Sequence, residues 1–141
     1  MNNTLQSDTH SILLVEDDAM NQALTLAILR KMGLTADVAN DGKHALTMLK
    51  QKKYDLVLMD CKMPVLNGLE TTEIIRANES GLEEHVPIIA VTANAMKGDY
   101  ERCRDAGMDD YIAKPFTKQI LADAIYKWLP QAKQALPAQV P

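Results

Sequence analysis

The sequence predicts an α/β fold, a doubly wound parallel sheet of five strands forming a single domain with helices on both faces. Three observations predict it. Apolar runs at 12–15, 56–59 and 88–91 are too short for buried helices and suit strands covered on both faces. Between them lie segments with apolar residues at helical spacing. The connections are short and rich in Asp, Asn, Gly and Pro. The chain has 141 residues, 47% of them hydrophobic, enough for one ordinary domain with a real core.

Each element has its own justification. Strand one is 11–15 and stops in Glu16-Asp17-Asp18. A helix follows over 20–32, with Leu24, Ala27, Ile28 and Met32 as its expected buried stripe and Gly33 as a left-handed stop. The acids suit the positive end of that helix. Strand two is 35–39, and Asn40-Asp41-Gly42 turn into a second helix with Ala45, Leu46 and Leu49 on one face and Asp41 as its cap. Strand three, 56–59, ends in Asp60. Pro64 lacks a backbone donor and keeps Met63 out of the helical region, so the chain leaves the sheet there as a loop. The third helix is expected from about Leu66 to Asn78, with Gly68 near its start reflecting backbone crowding. Strand four, 88–91, leads into Thr92-Ala93-Asn94. A fourth helix spans roughly 96–106 and stops at Gly107. Strand five, 111–113, ends in Lys114-Pro115. A fifth helix, 117–129, presents Ile120, Leu121, Ala124, Ile125 and Trp128. Residues 1–10 form a polar leader, 11–129 the domain, and 130–141 a tail rich in Ala, Gln and Pro that reads as linker.

With five strands the leading order is the flavodoxin-like 2-1-3-4-5, which opens a crevice between strands one and three at their carboxyl ends. Glu16, Asp17 and Asp60 meet there, and Thr92 and Lys114 leave the same edge. A lone Asp60 would be read as a helix cap or a solvated turn residue. Four segments delivering three carboxylates, a hydroxyl and an ammonium to one rim point instead to chemistry. Two carboxylates about 5 Å apart repel by roughly 3 kcal/mol at an effective dielectric of about 20. Three together call for a cation. Hard oxygen ligands open to water suit Mg²⁺, whereas zinc lacks its histidines and thiolates. An ionised Asp60 beside Mg²⁺ can attack phosphorus without a general base, giving an aspartyl phosphate, with Lys114 and Thr92 neutralising and holding the transferred oxygens.

The net charge of −4 argues against a nucleic-acid footprint, and no apolar run reaches the ~18 residues of a membrane helix. Residues 1–8 lack a signal-peptide pattern, so a cytoplasmic setting is expected. Cys61 and Cys103, far apart and without metal-type spacing, read as small packing residues. Seven methionines, Met20 among them, read as core or rim filler, although the start of the first helix around Met20 and Asn21 is also a plausible docking surface. His10, His44 and His85 read as solvated, and none is placed as an internal phosphodonor.

The motifs Leu-Leu-Val-Glu-Asp-Asp (13–18), Leu-Met-Asp-Cys-Lys-Met-Pro (58–64), Val-Thr-Ala-Asn (91–94) and Asp-Tyr-Ile-Ala-Lys-Pro (110–115) occur in this order. Together they resemble the receiver domain of two-component response regulators over nearly all of 11–129. The segment 92–111 is most similar to receivers of hybrid sensor histidine kinases. The resemblance implies Glu16 and Asp17 as the acidic pair, Asp60 as phosphoacceptor, Thr92 as switch hydroxyl, Lys114 as phosphate lysine and Tyr111 as aromatic switch. It further implies the Lys62 main-chain carbonyl as a magnesium ligand. The implied phosphodonor is a histidine kinase or a histidine phosphotransfer domain, acting in trans. The implied output face is helix four, strand five and helix five, which could also carry a dimer. Asp18 and Lys62 depart from the Asn and Gln frequent in hybrid kinases, and Asp18 is expected not to be a direct metal ligand. The alternatives are a stand-alone regulator and an interaction module that is never phosphorylated. A haloacid-dehalogenase-type phosphatase needs a second Asp where Lys62 stands, and a flavodoxin-like FMN carrier needs a phosphate-cradling loop where this chain has three acids.

Overall fold

The computed structural model describes residues 11–61, 67–81, 85–92 and 97–130, with the main chain alone at 97–99. Along the chain run β1 (Ile12–Val15), α1 (Ala19–Lys31), β2 (Ala36–Ala39), α2 (Gly42–Gln51), β3 (Leu56–Asp60), α3 (Gly68–Glu79), β4 (Ile88–Thr92), α4 (Lys97–Ala106), β5 (Asp110–Ala113) and α5 (Lys118–Trp128). The strands form one sheet in the order β2-β1-β3-β4-β5, every neighbouring pair parallel. This is the expected doubly wound, flavodoxin-like arrangement, with each strand within a residue or two of its anticipated bounds.

The apolar runs of β1 and β3 place them in the middle of the sheet. Leu56, Val57, Leu58 and Met59 are all fully buried, two toward each face. Leu56 and Leu58 join Ile12, Leu14, Leu29, Leu121 and Ile125 in a core beneath α1 and α5. Val57 and Met59 join Leu13, Val15, Ala45, Ile75 and Cys103 beneath α2, α3 and α4. Each such side chain contributes about 1.5–3 kcal/mol on leaving water.

Four helices begin on the same device. Asp18, Asp41, Asn67 and Thr117 each turn a side-chain oxygen onto the backbone N–H three residues on, at Asn21, His44, Glu70 and Ile120. The Glu70 carboxylate in turn accepts from the Asn67 N–H, completing a capping box. Gly68 is therefore the first helical residue of α3. Gly33 and Gly107 carry positive φ (81° and 112°) and end α1 and α4 as expected.

Two stripes differ from expectation. In α1 the fully packed positions are Thr25 and Leu29, with Met32 just beyond, while Leu24 is 57% and Met20 74% exposed. The helix is apolar all round, so spacing alone could not fix its rotation. In α5, Leu121, Ala122 and Ile125 are buried and Ile120 faces outward. Trp128 of α5 donates from Nε1 to Asp110 Oδ2 at 2.7 Å, tying the end of α5 to the start of β5.

At the amino edge of the sheet Arg76 of α3 bonds the Gly107 carbonyl (2.9 Å), Glu79 (2.7 Å) and Asp109 (2.7 Å). His85 joins this cluster through Asp109 Oδ1 at 2.7 Å, so it is a structural partner rather than a purely solvated residue.

Candidate functional site

Parallel strands that all point one way bring their carboxyl ends to one edge, and the expected residues are found there. Glu16 follows β1, and Asp60 and Thr92 are the last residues of β3 and β4. Lys114 follows β5. Glu16, Asp60 and Thr92 are buried at 3%, 5% and 1% exposure, whereas Asp17 is exposed. One ligand oxygen from each of Glu16, Asp17 and Asp60 lies within 4.8 Å of the other two. The Lys114 ammonium reaches in from β5, 3.3 Å from Glu16 Oε1 and 3.7 Å from Asp60 Oδ2.

Glu16 is held from every side. Its N–H donates to the Ala39 carbonyl of β2 (3.0 Å), its carbonyl accepts from Gln22 Nε2 (2.6 Å), and its Oε2 accepts from the Asp18 N–H (3.3 Å). Gln22 also bonds Asn40 Oδ1 at 2.9 Å, so it ties the loop after β2 to the acidic pair. No motif marks this residue beyond its place one turn after the acids. Asp18 spends its carboxylate on the Asn21 N–H as the cap of α1 and stands outside the group of three.

Asp60 is fixed by its backbone surroundings. The Cys61 N–H donates to the Val91 carbonyl at 3.1 Å, and the Gly68 N–H donates to the Cys61 carbonyl at 3.2 Å. A Cβ on Gly68 would collide with the Asp60 carbonyl oxygen and lie 2.9 Å from Cys61 Cα. The crowding expected at Gly68 thus concerns the main chain of the central carboxylate itself.

Thr92 pairs in register with Ala113, and its carbonyl accepts from the Lys114 N–H at 2.7 Å. Side chains alternate along a strand, so Thr92 shares a sheet face with Tyr111, which packs into the core beneath α4. The Tyr111 ring meets Tyr100 of α4 edge-on, centroids 5.6 Å apart at 83°. Lys62, Met63 and Met96 lie outside the described residues, as does His10.

The electrostatics of this corner are strained in one direction. Burial pushes the Glu16 carboxyl up to about 7, a hydrogen bond and the charge of Asp60 push the same way, and Lys114 opposes them. Among the described residues, three carboxylates gather here against the Lys114 ammonium. A small, hard dication with oxygen preference would relieve this excess, and the donor set fits Mg²⁺. A cavity of about 450 Å³ lies at the opposite, amino edge between α2 and α3, lined by Leu46, Leu49, Tyr54, Ile75 and Pro87. It holds none of these groups.

This doubly wound five-stranded sheet, with its acidic cluster, hydroxyl and lysine gathered at the carboxyl edge, places the chain among α/β domains of the receiver class. The chain is a member of the response regulator receiver domain family, whose model matches residues 12–126. It is 45% identical over 119 residues to hybrid signal transduction histidine kinase I of Dictyostelium discoideum, a match covering 81% of this chain and 7% of that protein. It is 41% identical over 138 residues to the transcription factor SKN7 of Saccharomyces cerevisiae, covering 95% of this chain and 21% of that protein. The chain therefore corresponds to a small part of these curated relatives. Among solved structures it resembles the receiver domain of sensor histidine kinase PA1611 from Pseudomonas aeruginosa PAO1, crystallised with a magnesium ion in the active site cleft. That match has a TM-score of 0.78 and 45% identity, over 86% of this chain and 98% of that one. The Ssk1 receiver of Saccharomyces cerevisiae, solved with the histidine phosphotransfer protein Ypd1, matches with a TM-score of 0.78 and 31% identity, over 92% and 93% of the two chains. Among the described residues no helix is long and apolar enough to cross a membrane.

Proposed function

We propose that this receiver domain, residues 11–129, takes a phosphoryl group from a phosphohistidine onto Asp60 and presents the change to a partner. One observation carries the reading: Asp60 is buried at the carboxyl edge with Glu16 and Asp17 oxygens within 4.8 Å and the Lys114 ammonium at 3.7 Å. Glu16, Asp17 and Asp60 would hold Mg²⁺, with the Lys62 main-chain carbonyl as a further ligand. The magnesium ion in the 45% identical PA1611 receiver supports that choice. When bound, the metal supplies charge neutralisation for the transferred oxygens.

The residues do the rest. An Asp60 carboxylate oxygen forms the new bond to phosphorus, the P–N bond to the imidazole breaks, and its electron pair stays on the leaving nitrogen. Lys114 binds one transferred oxygen, and the Thr92 hydroxyl is drawn toward another. Tyr111, on the same sheet face, moves with it, and the contact of its ring with Tyr100 carries the change to α4. The face made by α4, β5 and α5 is the output, and the exposed Tyr100 and Ile120 supply apolar contacts there for a partner or a second copy. The exposed Met20 and Leu24 at the start of α1, beside the acidic pair, give the phosphodonor a docking surface. The Ypd1 complex of the Ssk1 receiver supports a histidine phosphotransfer domain as one such donor. The hybrid-kinase relatives support a receiver within a longer kinase, and a cytoplasmic setting is proposed for it.

The deciding experiment incubates the chain and its Asp60→Asn variant with a radiolabelled phosphohistidine donor and Mg²⁺. Label should appear on the native chain alone and vanish with chelator. Equal labelling of both would place the acceptor elsewhere.

A further inference from the structure

Cys61 and Cys103 stand 42 residues apart in sequence, yet their reduced sulfurs lie 3.5 Å from each other. About 1.5 Å of closure would bring that separation to the ~2.05 Å of an S–S bond. We propose that this pair is a site of reversible oxidation by hydroperoxides, and that the resulting cross-link slows phosphoryl uptake at Asp60.

The two thiols differ in the way such a site requires. Cys61 is half-exposed and meets the oxidant, while Cys103 is 3% exposed and is reached only by its neighbour. In the first step the Cys61 sulfur bonds to the outer peroxide oxygen, the O–O bond breaks, and the thiol proton leaves with the alkoxide or hydroxide as alcohol or water. Cys61 becomes a sulfenic acid. In the second step the Cys103 sulfur attacks the Cys61 sulfur, the S–O bond breaks, and one water departs. Two thiols are oxidised by two electrons and one peroxide is reduced. A cellular thiol reductant reverses the bond, in keeping with the transient, sensing character of such cross-links in reducing compartments.

The placement gives the bond its effect. Cys61 directly follows Asp60 and is locked by its N–H on the Val91 carbonyl and its carbonyl under the Gly68 N–H. Cys103 belongs to α4, the helix whose Tyr100 touches Tyr111. A cross-link would therefore fasten α4, the helix of the proposed output face, to the hydrogen-bonded backbone that seats the acceptor. This regulatory half rests on the phosphoryl-acceptor reading above. If α4 must shift when Asp60 is modified, holding α4 disfavours the modified state by the same coupling.

The test treats the full chain with hydrogen peroxide and maps its peptides without reductant. A peptide pair joined through residues 61 and 103, lighter by two hydrogens and restored by dithiothreitol, is expected. Labelling by acetyl phosphate with Mg²⁺ should then slow at least about fivefold and recover with dithiothreitol. Cys103→Ser should label at the untreated rate before and after peroxide. The dithiothreitol reversal on the native chain keeps the test valid should that variant fold poorly. Absence of the intramolecular cross-link, or a cross-linked chain that labels as fast as the reduced one, overturns the proposal. A reduced chain that takes no label at all counts against the Asp60 assignment instead. The cross-link is then judged on the peptide masses, and the clamp on a rise in urea midpoint.

Discussion

Lys114 Nζ lies closer to Glu16 Oε1, at 3.3 Å, than to any oxygen of Asp60, whose Oδ2 is 3.7 Å away. Without metal, then, the ammonium serves as counter-ion to the acidic pair as much as to the acceptor. A dication held by Glu16, Asp17 and Asp60 would take over that duty and leave the ammonium for a phosphoryl group. Lys114→Ala should lower the rate of Asp60 labelling by about 100-fold, the scale for losing one preorganised charge. Mg²⁺ should bind somewhat more tightly to the variant, because a competing positive charge has gone. Isothermal titration alongside labelling separates the two effects, and parallel losses in both would contradict this division of labour.

Glu16 sets the pH behaviour. Its carboxyl is raised from 4.5 to about 7, so between those values the native state holds a proton that the unfolded chain has released. Stability of the metal-free protein from this group therefore falls as pH rises through the window, and the cost is complete above about 7. Removing the neighbouring charge with Asp60→Asn should stabilise the chelated protein by on the order of 2 kcal/mol at pH 8 and by little at pH 5. Mg²⁺ affinity of the native chain should weaken as pH drops below about 7. Urea midpoints at the two pH values check the first expectation. A variant no more stabilised at pH 8 than at pH 5 would refute it.

Asp18 separates capping from metal binding. Its Oδ2 accepts from the Asn21 N–H at 2.9 Å. Asp18→Asn preserves that bond and should leave both Mg²⁺ affinity and melting temperature nearly unchanged. Asp18→Ala should cost about 1 kcal/mol of stability. A tenfold loss of Mg²⁺ affinity in the Asn variant, equivalent to about 1.4 kcal/mol, would make Asp18 a ligand after all.

Gly68→Ala tests the seat of the acceptor. The added Cβ meets backbone, the Asp60 carbonyl and Cys61 Cα, which a rotamer change cannot relieve. A destabilisation of about 1–3 kcal/mol is expected, together with slower labelling from a displaced Asp60. Wild-type melting and wild-type labelling in this variant would show that the helix start yields freely.

The strand order and the five edge residues are legible because β1, β3 and β4 are short apolar runs ending in a polar residue, and parallel connectivity then dictates where those ends gather. The cap at Asp41 also carries its signal locally, whereas Asp18 reads from sequence only as an acid at the positive end of α1. The rotation of α1 was not legible. With Ala19, Met20, Ala23, Leu24, Leu26, Ala27, Ile28 and Leu29 distributed round the helix, only packing against β1 and α5 selects Leu29 over Leu24. Arg76 and His85 with Asp109, 33 and 24 residues away, and Lys114 with Glu16 across 98 residues, are pairings of distant charges that no spacing rule announces.

The chain contains one tryptophan, and its indole N–H is bonded to Asp110, the residue immediately before Tyr111. Emission from that single ring is consequently a label-free optical gauge of β5. Any rearrangement of Tyr111 that disturbs its neighbour should register as a change in fluorescence, so the switch can be timed in the unmodified protein by stopped flow.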